Sequence, residues 1–316
     1  MAKFQRILLT GSSGTLGLNI LMLLSKCDDI IVSALIRENA ATLIKSDNIM
    51  YSIVDYKNRN EVYNIIKLFN PTCIIHCAAS GINFNKTGWF EMISFNIDVS
   101  LYLLEYASKL DKCKFVYISS GLIYRDVGRK LCELDAIETL HPYGASKAAA
   151  DILLRAAAYE FRVPIVVLRP FSFTGFGDVG DRLFPSILRA ATENRSIDLS
   201  PCTQVRDHCS AEDIASCVVT VALNQSSSMV YNLGSGHDLN LRFLIESVVD
   251  QIDLKVDLKF GERSYLPYEP MFLSSNSDLA FNDLGWKPKI NLAYSVWLLA
   301  KTSFKSLVVK EPKQWL

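Results

Sequence analysis

The stretch FQRILLTGSSGTLG, from Phe4 to Gly17, sets how the rest of the chain is read. Phe4–Thr10 is a short apolar run that stops at a glycine, and Leu16–Lys26 continues with apolar residues at helical spacing. Strand, glycine turn and helix in that order open a parallel α/β sheet. Gly11, Gly14 and Gly17 allow a tight turn and a close backbone approach to a phosphate. Ser13, Thr15 and Leu16 sit where the helix start offers N–H donors and the positive end of its dipole. A glycine pattern alone is weak, and an ordinary βα turn is the plain alternative. The strand before it and the helix after it make a pyrophosphate cradle the better reading.

Moving outward, Ile30–Leu35 is a second β-rich run, followed by Ile36 and Arg37. An acidic residue at that place accepts from a ribose hydroxyl, whereas a cation suits a 2′-phosphate. Arg37 therefore favours NADP(H) over NAD(H). Glu38 could reach the ribose instead, which keeps NAD(H) open, and a solvated surface charge is the bland reading of Arg37. The alternation goes on with helix Asn60–Phe69, strand Thr72–Ala79, amphipathic helix Asn96–Leu110, strand Lys114–Ser119, long helix Tyr143–Phe161 and strand Pro164–Leu168. Such alternation implies a doubly wound, Rossmann-type parallel sheet covered on both faces. After Arg169 the pattern loosens into a Gly- and Asp-bearing loop at Phe173–Asp181. Helical stretches follow near Leu183–Ala191 and Asp213–Leu223, and a strand at Met229–Leu233 ends in Gly234-Ser235-Gly236. The expected organisation is a dinucleotide-binding domain over 1–170 and a smaller, mainly substrate-binding domain over 171–316. A return crossing to the first domain is expected near 205–235.

The bulk composition fits this. Half of the 316 residues are hydrophobic, and 33 basic residues balance 33 acidic ones. No global field draws the chain to nucleic acid or an anionic membrane. The apolar start stops too early for a signal peptide, and no run nears the roughly 20 residues of a membrane helix. The expected address is the cytoplasm. Eight scattered cysteines read as reduced thiols, not a disulfide framework. Cys73, His76 and Cys77 would not converge on one ion from a strand, where neighbours face opposite sides, so no metal is expected.

His141-Pro142-Tyr143-Gly144-Ala145-Ser146-Lys147 opens the long helix. Tyr143 and Lys147 stand four apart and share a face. A neighbouring ammonium favours phenolate and lets tyrosine exchange protons nearer neutrality. Alone, Tyr-x-x-x-Lys is common. Here Ser119-Ser120 ends a strand at the carboxyl edge of the sheet, where Ser120 could hydrogen-bond a substrate oxygen. Asn96, expected at the start of its helix, is either a member of this set or a simple N-cap.

Taken together, these residues resemble the extended short-chain dehydrogenase/reductase family, the nucleotide-sugar epimerase/dehydratase group, over nearly the whole chain. The resemblance rests on TGSSGTLG at 10–17, Asp55-Tyr56, His76-Cys77-Ala78-Ala79, Asn96, ISSGLIY at 118–124 and YGASK at 143–147. It continues in LRPFSFTGFGD at 168–178, VRDHCSAEDIA at 205–215, YNLGSG at 231–236 and LGWKP at 284–288. It implies that Asp55 and Tyr56 lie by the adenine, and Ala78 and Ala79 by the cofactor's ribose. Ser120, Tyr143 and Lys147 would carry the chemistry. Pro170 and Phe171 would border the nicotinamide, and Arg206, helped by Arg182, would clamp a nucleotide-sugar diphosphate. Ser80 and Ser172 are further substrate contacts, with Ser172 standing where many members have Asn. A homodimer through the Asn96 and Tyr143 helices is usual in the group.

Departures from the group narrow the chemistry. Its 4,6-dehydratases carry an Asp-Glu pair after the catalytic hydroxyl residue, where this chain has Gly121-Leu122. Its epimerase/reductases of fucose-type sugars carry a cysteine there and a histidine in the later glycine loop, matched here by Gly121 and Asp178. What remains is NADPH-dependent reduction of a 4-keto-6-deoxy nucleotide sugar. The alternatives are an NAD-dependent 4-epimerase or, from a different class, a dinucleotide-sensing protein without turnover.

Overall fold

The computed structural model describes residues 5–38, 44–81 and 88–315. Phe4, expected to open the first strand, lies outside them. In chain order the first part comprises β1 (Gln5–Thr10), α1 (Thr15–Leu24), β2 (Ile30–Ile36), β3 (Ile49–Ile53), α2 (Arg59–Phe69) and β4 (Cys73–His76). Next come α3 (Trp89–Ile93), a π-helical stretch (Ser94–Val99), α4 (Ser100–Ser108), β5 (Lys114–Ile118), a 3₁₀ turn (Gly121–Ile123), α5 (Pro142–Phe161) and β6 (Ile165–Pro170). The later part adds β7 (Ser172–Thr174), α6 (Leu183–Thr192), β8 (Ile197–Leu199), β9 (Val205–Arg206), β10 (His208–Ser210), α7 (Ala211–Leu223) and β11 (Val230–Leu233). It closes with β12 (Leu239–Asn240), α8 (Leu241–Gln251), β13 (Leu258–Phe260), β14 (Phe272–Leu273), α9 (Asp278–Leu284) and α10 (Leu292–Ser303).

Seven strands form one parallel sheet in the order β11-β6-β5-β4-β1-β2-β3. This is the expected Rossmann-type fold. The chain winds outward from β1 to β3, then crosses back to lay β4 on the other side of β1. The crevice where the winding reverses therefore opens at the carboxyl ends of β1 and β4, the general ligand position in such sheets.

The strands alternate strictly between two cores. Ile7, Leu9, Cys73, Ile75, Val116, Ile118, Val166 and Leu168 face α1 and α7. Leu8, Ile74, Phe115, Tyr117, Ile165 and Val167 face α2, α4 and α5. Period-two side-chain direction, with apolar residues at both parities, is what burial on both faces requires. Later elements return to this body: α7 packs on α1, β11 extends the sheet beside β6, and α9 joins the same core. A separate core joins α6, α8 and α10 and is drawn entirely from residues after Leu183. Three short sheets build the rest, pairing β7 with β10, β9 with β12 and β14, and β8 with β13.

Several expected boundaries change, among them the strand expected over Thr72–Ala79, which ends at His76. The segment after Arg169, expected as loop from Phe173, begins with β7. The helix expected to start at Asn96 begins at Trp89, so Asn96 lies inside a π-helical stretch and caps nothing. The wider turn puts Trp89–Ile93 out of phase with Ser100–Ser108, so the apolar repeat breaks where the helix does not.

Candidate functional site

Gly11 leaves β1 with a φ of +68°, and a Cβ on it would stand 2.6 Å from the Ala78 nitrogen. A Cβ on Gly17 would stand 2.2 Å from the Gly11 carbonyl oxygen. Only hydrogen fits at either place, so the loop is drawn down against β4 and against its own helix. Gly14 N bonds Gly11 O at 3.0 Å, and α1 starts with no side-chain cap and no acidic residue in its first turn. Its first N–H groups are left for an anion. Ser13 and Thr15 are half-buried beside this start, and Leu16 is buried beneath it. These residues fit the pyrophosphate of a dinucleotide.

Arg37 and Glu38 are exposed just past β2. Arg37 lies close enough to Tyr56 to act on its hydroxyl electrostatically. Tyr56 is buried edge-on against Phe95, and Asp55 is exposed beside it. The carboxyl ends of β2 and β3 thus bring a cation, a carboxylate and a tyrosine together.

A buried hydrogen-bond chain ties β1 to the helix above β4. Ala78 N donates to Thr10 Oγ1 (3.2 Å), Thr10 Oγ1 meets His76 Nδ1 (2.7 Å), and His76 Nε2 meets Ser100 Oγ (2.9 Å). Ser100 Oγ donates to Asn96 O, so it must accept from Nε2–H, and Nδ1 accepts from Thr10. Burial, with Lys147 nearby, pushes the His76 pKa down to about 3 and keeps the ring neutral. His76 is a satisfied core histidine. Among the described residues no cluster of metal-ligating side chains occurs, and every described cysteine is free.

Asn96 is buried and engages both neighbours. Its Oδ1 accepts from Ser80 N, while its Nδ2 donates to Ser80 O and Ser146 Oγ, each at 2.8 Å. Ser146 Oγ donates in turn to Tyr143 O at 2.8 Å. Asn96 therefore fastens the turn after β4, carrying Ala78, Ala79 and Ser80, to the first turn of α5. Pro142 is preorganised for the helix start, and His141 caps it by accepting from Gly144 N through Nδ1. A Cβ on Gly144 would stand 2.3 Å from the Leu122 carbonyl oxygen. The glycine after Tyr143 lets α5 seat on the 3₁₀ turn that Ser120 caps. Ser120 Oγ accepts from Leu122 N at 3.1 Å, which leaves its hydrogen free to donate.

Tyr143 and Lys147 are both buried at this junction. Burial pushes the Tyr143 hydroxyl up to about 12, opposed by the positive charge of Arg182. Burial brings the Lys147 ammonium down to about 7, with Cys77 and Asp151 acting in the other direction. Lys147 Nζ lies 4.2 Å from the centre of the Tyr117 ring. Arg182 is thus a cation close enough to act on the phenol. The i,i+4 spacing puts Lys147 on the right face, but its ammonium rests on the β5 aromatic.

Phe171 is buried after β6 and stacks on Tyr124 with centroids 6.3 Å apart. A Cβ on Gly121 would stand 2.8 Å from its ring. The place beside Ser120 is thus filled by Phe171. Behind Pro170, Arg169 is fully buried and holds Asp151 of α5 through two bonds (2.9 and 3.0 Å), Tyr124 Oη (2.6 Å) and Glu133 O (3.0 Å).

The remaining expected residues lie on the later elements. Ser172 pairs in register with His208 across β7 and β10. His208 bonds Thr174 Oγ1 (3.0 Å), meets the Phe184 ring edge-on, and is held neutral with a pKa near about 3 by burial and by Arg182 and Arg206. Arg206 on β9 is ion-paired with Glu269. Arg182 bonds Asp178 (2.9 Å) and Thr15 Oγ1 (2.9 Å). The reading from residues assigned no role to Glu269, Asp178 or His141. Glu269 lies 63 residues from its partner. Asp178 and Arg182 are four apart, but in a loop, where that spacing carries no helical signal.

The chain is similar to known proteins over nearly its whole length. Residues 7–234 match the NAD dependent epimerase/dehydratase family. The chain is 25% identical to the low-salt glycan biosynthesis protein Agl12 of Haloferax volcanii, over 90% of this chain and 93% of that one. It is also 25% identical to a dTDP-glucose 4,6-dehydratase of Escherichia coli, over 95% of this chain and 94% of that one. Among solved structures, UDP-glucuronic acid 4-epimerase of Bacillus cereus with UDP-glucuronic acid and NAD superposes with a TM-score of 0.86 at 21% identity, covering 96% of this chain and all of that one. UDP-glucose 4-epimerase of Thermotoga maritima superposes with a TM-score of 0.85 at 19% identity, covering 96% and 99%. Among the described residues no helix is long and apolar enough to cross a membrane. With its glycine cradle, its Rossmann-type sheet and a family match across most of its length, this chain belongs to the NAD dependent epimerase/dehydratase family of oxidoreductase-type enzymes.

Proposed function

We propose that this enzyme uses NADPH to reduce the C4 carbonyl of a nucleotide-linked 4-keto-6-deoxy sugar, with Tyr143, Lys147 and Ser120 as its catalytic residues. The observation that carries the reading is the filled place beside Ser120. Dehydration needs an acid and a base next to the catalytic hydroxyl, and Gly121 has Phe171 packed where its side chain would go. Proton-coupled hydride transfer at one carbon needs neither. When bound, the dinucleotide supplies the hydride to the carbonyl carbon. Tyr143 gives its hydroxyl proton to the carbonyl oxygen, and Ser120 donates a hydrogen bond to that oxygen. Lys147, with a pKa near about 7, can hold a charge that stabilises the resulting phenolate and then pass a proton back.

Gly11, Ser13, Gly14, Thr15, Leu16 and Gly17 would hold the pyrophosphate, Asp55 and Tyr56 the adenine, and Ala78, Ala79 and Asn96 the cofactor's ribose side. Pro170 and Phe171 would border the nicotinamide, and Ser80, Ser172 and Arg206 the sugar nucleotide. Arg37 supports NADP(H): it is an exposed cation at the end of β2, near enough to Tyr56 to act on it. Purified protein should consume NADPH stoichiometrically with one member of a panel of 4-keto-6-deoxy nucleotide sugars. Tyr143→Phe should lower kcat by about 10²–10⁴-fold while still binding dinucleotide. Unchanged turnover in that variant would sink the mechanism.

A 4-epimerase holding NAD is the second reading, supported by the end-to-end superposition on two UDP-sugar 4-epimerases. Absence of NADPH consumption across the panel, with NAD released from denatured protein, would put it first.

We also infer a homodimer through the helices of Asn96 and Tyr143. Phe90, Ile93, Ile152, Leu153 and Tyr159 on these helices are exposed, Phe90 and Tyr159 by more than four-fifths. Light scattering should give twice the chain mass for the native protein and the single mass for Phe90→Glu/Tyr159→Glu. A native monomer would remove the inference.

A further inference from the structure

The loop from Gly175 to Arg182 belongs to the later part of the chain, yet it is fastened onto the first turns of α1. Asn19 Nδ2 donates to Thr15 O (2.8 Å) and to Phe176 O (2.9 Å). Gly177 has a φ of +77°, and a Cβ on it would stand 2.4 Å from Leu18 Cδ1, so the loop backbone lies directly on the helix. Arg182 completes the attachment through Nη2 to Thr15 Oγ1 at 2.9 Å. Thr15 is the first residue of α1, next to the uncapped N–H groups.

The guanidinium is oriented before any ligand arrives. Asp178, 1% exposed, takes Nε at 2.9 Å and Nη2 at 2.7 Å, and the Phe173 ring lies 5.3 Å beneath the guanidinium. Among the described residues Nη1 has no partner. A planar donor fork, fixed on two sides and open on one, is suited to a phosphate oxygen. The residue it touches is on the cofactor loop. Arg206, the other cation expected to serve the sugar diphosphate, is on β9 and already paired with Glu269.

We propose that Arg182 is a ligand of the dinucleotide's pyrophosphate, so that the Gly175–Arg182 loop is part of the cofactor site. This rests on the dinucleotide reading of the glycine loop. Arg182 is also the residue before α6, whose Phe184 packs on His208 at the substrate side. The positive charge that acts on Tyr143 is the same guanidinium, which places the residue between the phosphate end and the reacting end of the site.

The test is calorimetric titration of the full chain with ADP-ribose, which has the pyrophosphate and lacks the nicotinamide. Arg182→Met should weaken ADP-ribose binding about 10–100-fold and flatten its dependence on salt. Arg182→Lys, which keeps the charge but not the fork, should fall between. If Arg182→Met does not fold, Thr15→Val serves instead, with a loss of about 3–10-fold expected from removing the anchoring hydroxyl. ADP-ribose affinity within twofold of the native protein in these variants overturns the proposal. So does a loss confined to CDP, GDP, UDP or dTDP, which would assign Arg182 to the sugar nucleotide. Native protein that binds neither ADP-ribose nor NADPH would instead remove the dinucleotide reading, and this proposal with it.

Discussion

Up to Pro170 the candidate residues follow the sheet. Gly11 comes after β1, Arg37 after β2, Tyr56 after β3, Ala78 after β4, Ser120 after β5, and Pro170 closes β6. Beyond Pro170 the residues take their places by pairing with partners far along the chain. Arg206 stands on a two-residue strand and is set by Glu269, while Arg182 is set by Asp178 and by Thr15 of the first helix. In the first part, parallel register alone brings successive loops to one edge. In the second, ion pairs and short sheets do the aiming. A side chain of the first part should therefore matter mainly to stability and chemistry, and one of the second part mainly to affinity.

The largest test of this contrast is at the join. Arg169 ends the first part, holds Asp151 on α5, and bonds Tyr124, whose hydroxyl reaches Asn232 on β11 at 2.7 Å. Arg169→Met leaves a buried carboxylate whose remaining ion-pair partner is Arg155. Urea unfolding should show a loss of about 3–5 kcal/mol. A loss below about 1 kcal/mol would mean the two parts hold together without this cluster.

Lys147 gives an intermediate effect of the opposite sign. Its pKa is lowered from 10.5 to about 7 by burial, so the folded state disfavours the ammonium. Between these values the unfolded chain binds more protons, and stability rises with pH through that window. The penalty is fully present below pH 7. Lys147→Met should thus be more stable than the native protein at pH 6, by roughly 1–3 kcal/mol, and the gain should fade as pH approaches 10.5. A gain independent of pH would assign it to packing. The same sign holds for His76, whose ring stays neutral and adds acid sensitivity between its ordinary pKa of 6.5 and about 3.

The smallest effect belongs to the second part. Glu269→Gln removes the charge that holds Arg206 in a partly open site, where Glu269 keeps 24% of its side-chain exposure. The KM for the sugar nucleotide should change about 3–10-fold, with kcat and the melting temperature nearly unmoved. A change in kcat instead would bring Glu269 into the chemistry and blur the contrast.

Much of the first part was legible because its signals are local. Apolar runs at both parities mark strands buried on two faces, glycines at 11 and 17 mark a backbone pressed against the end of β4 and against α1, and four-residue spacing puts Tyr143 and Lys147 on one face. Asn96 shows the limit of periodicity. One wider turn shifted the repeat, so a helix beginning at Trp89 looked as if it began seven residues later, and a residue joining Ser80 to Ser146 looked like a cap.

The sequence by itself determined the sheet, the phosphate loop and the pair on α5, because each depends on residues within a few positions of one another. Only the tertiary structure decided what those residues face. It set Lys147 on Tyr117, brought Arg182 near enough to act on Tyr143, filled the space beside Gly121 with Phe171, and joined Arg206 to Glu269. Charges and rings act through space over a few ångströms, and the chain brings such partners together from 30 to more than 160 residues apart, where no local pattern records them.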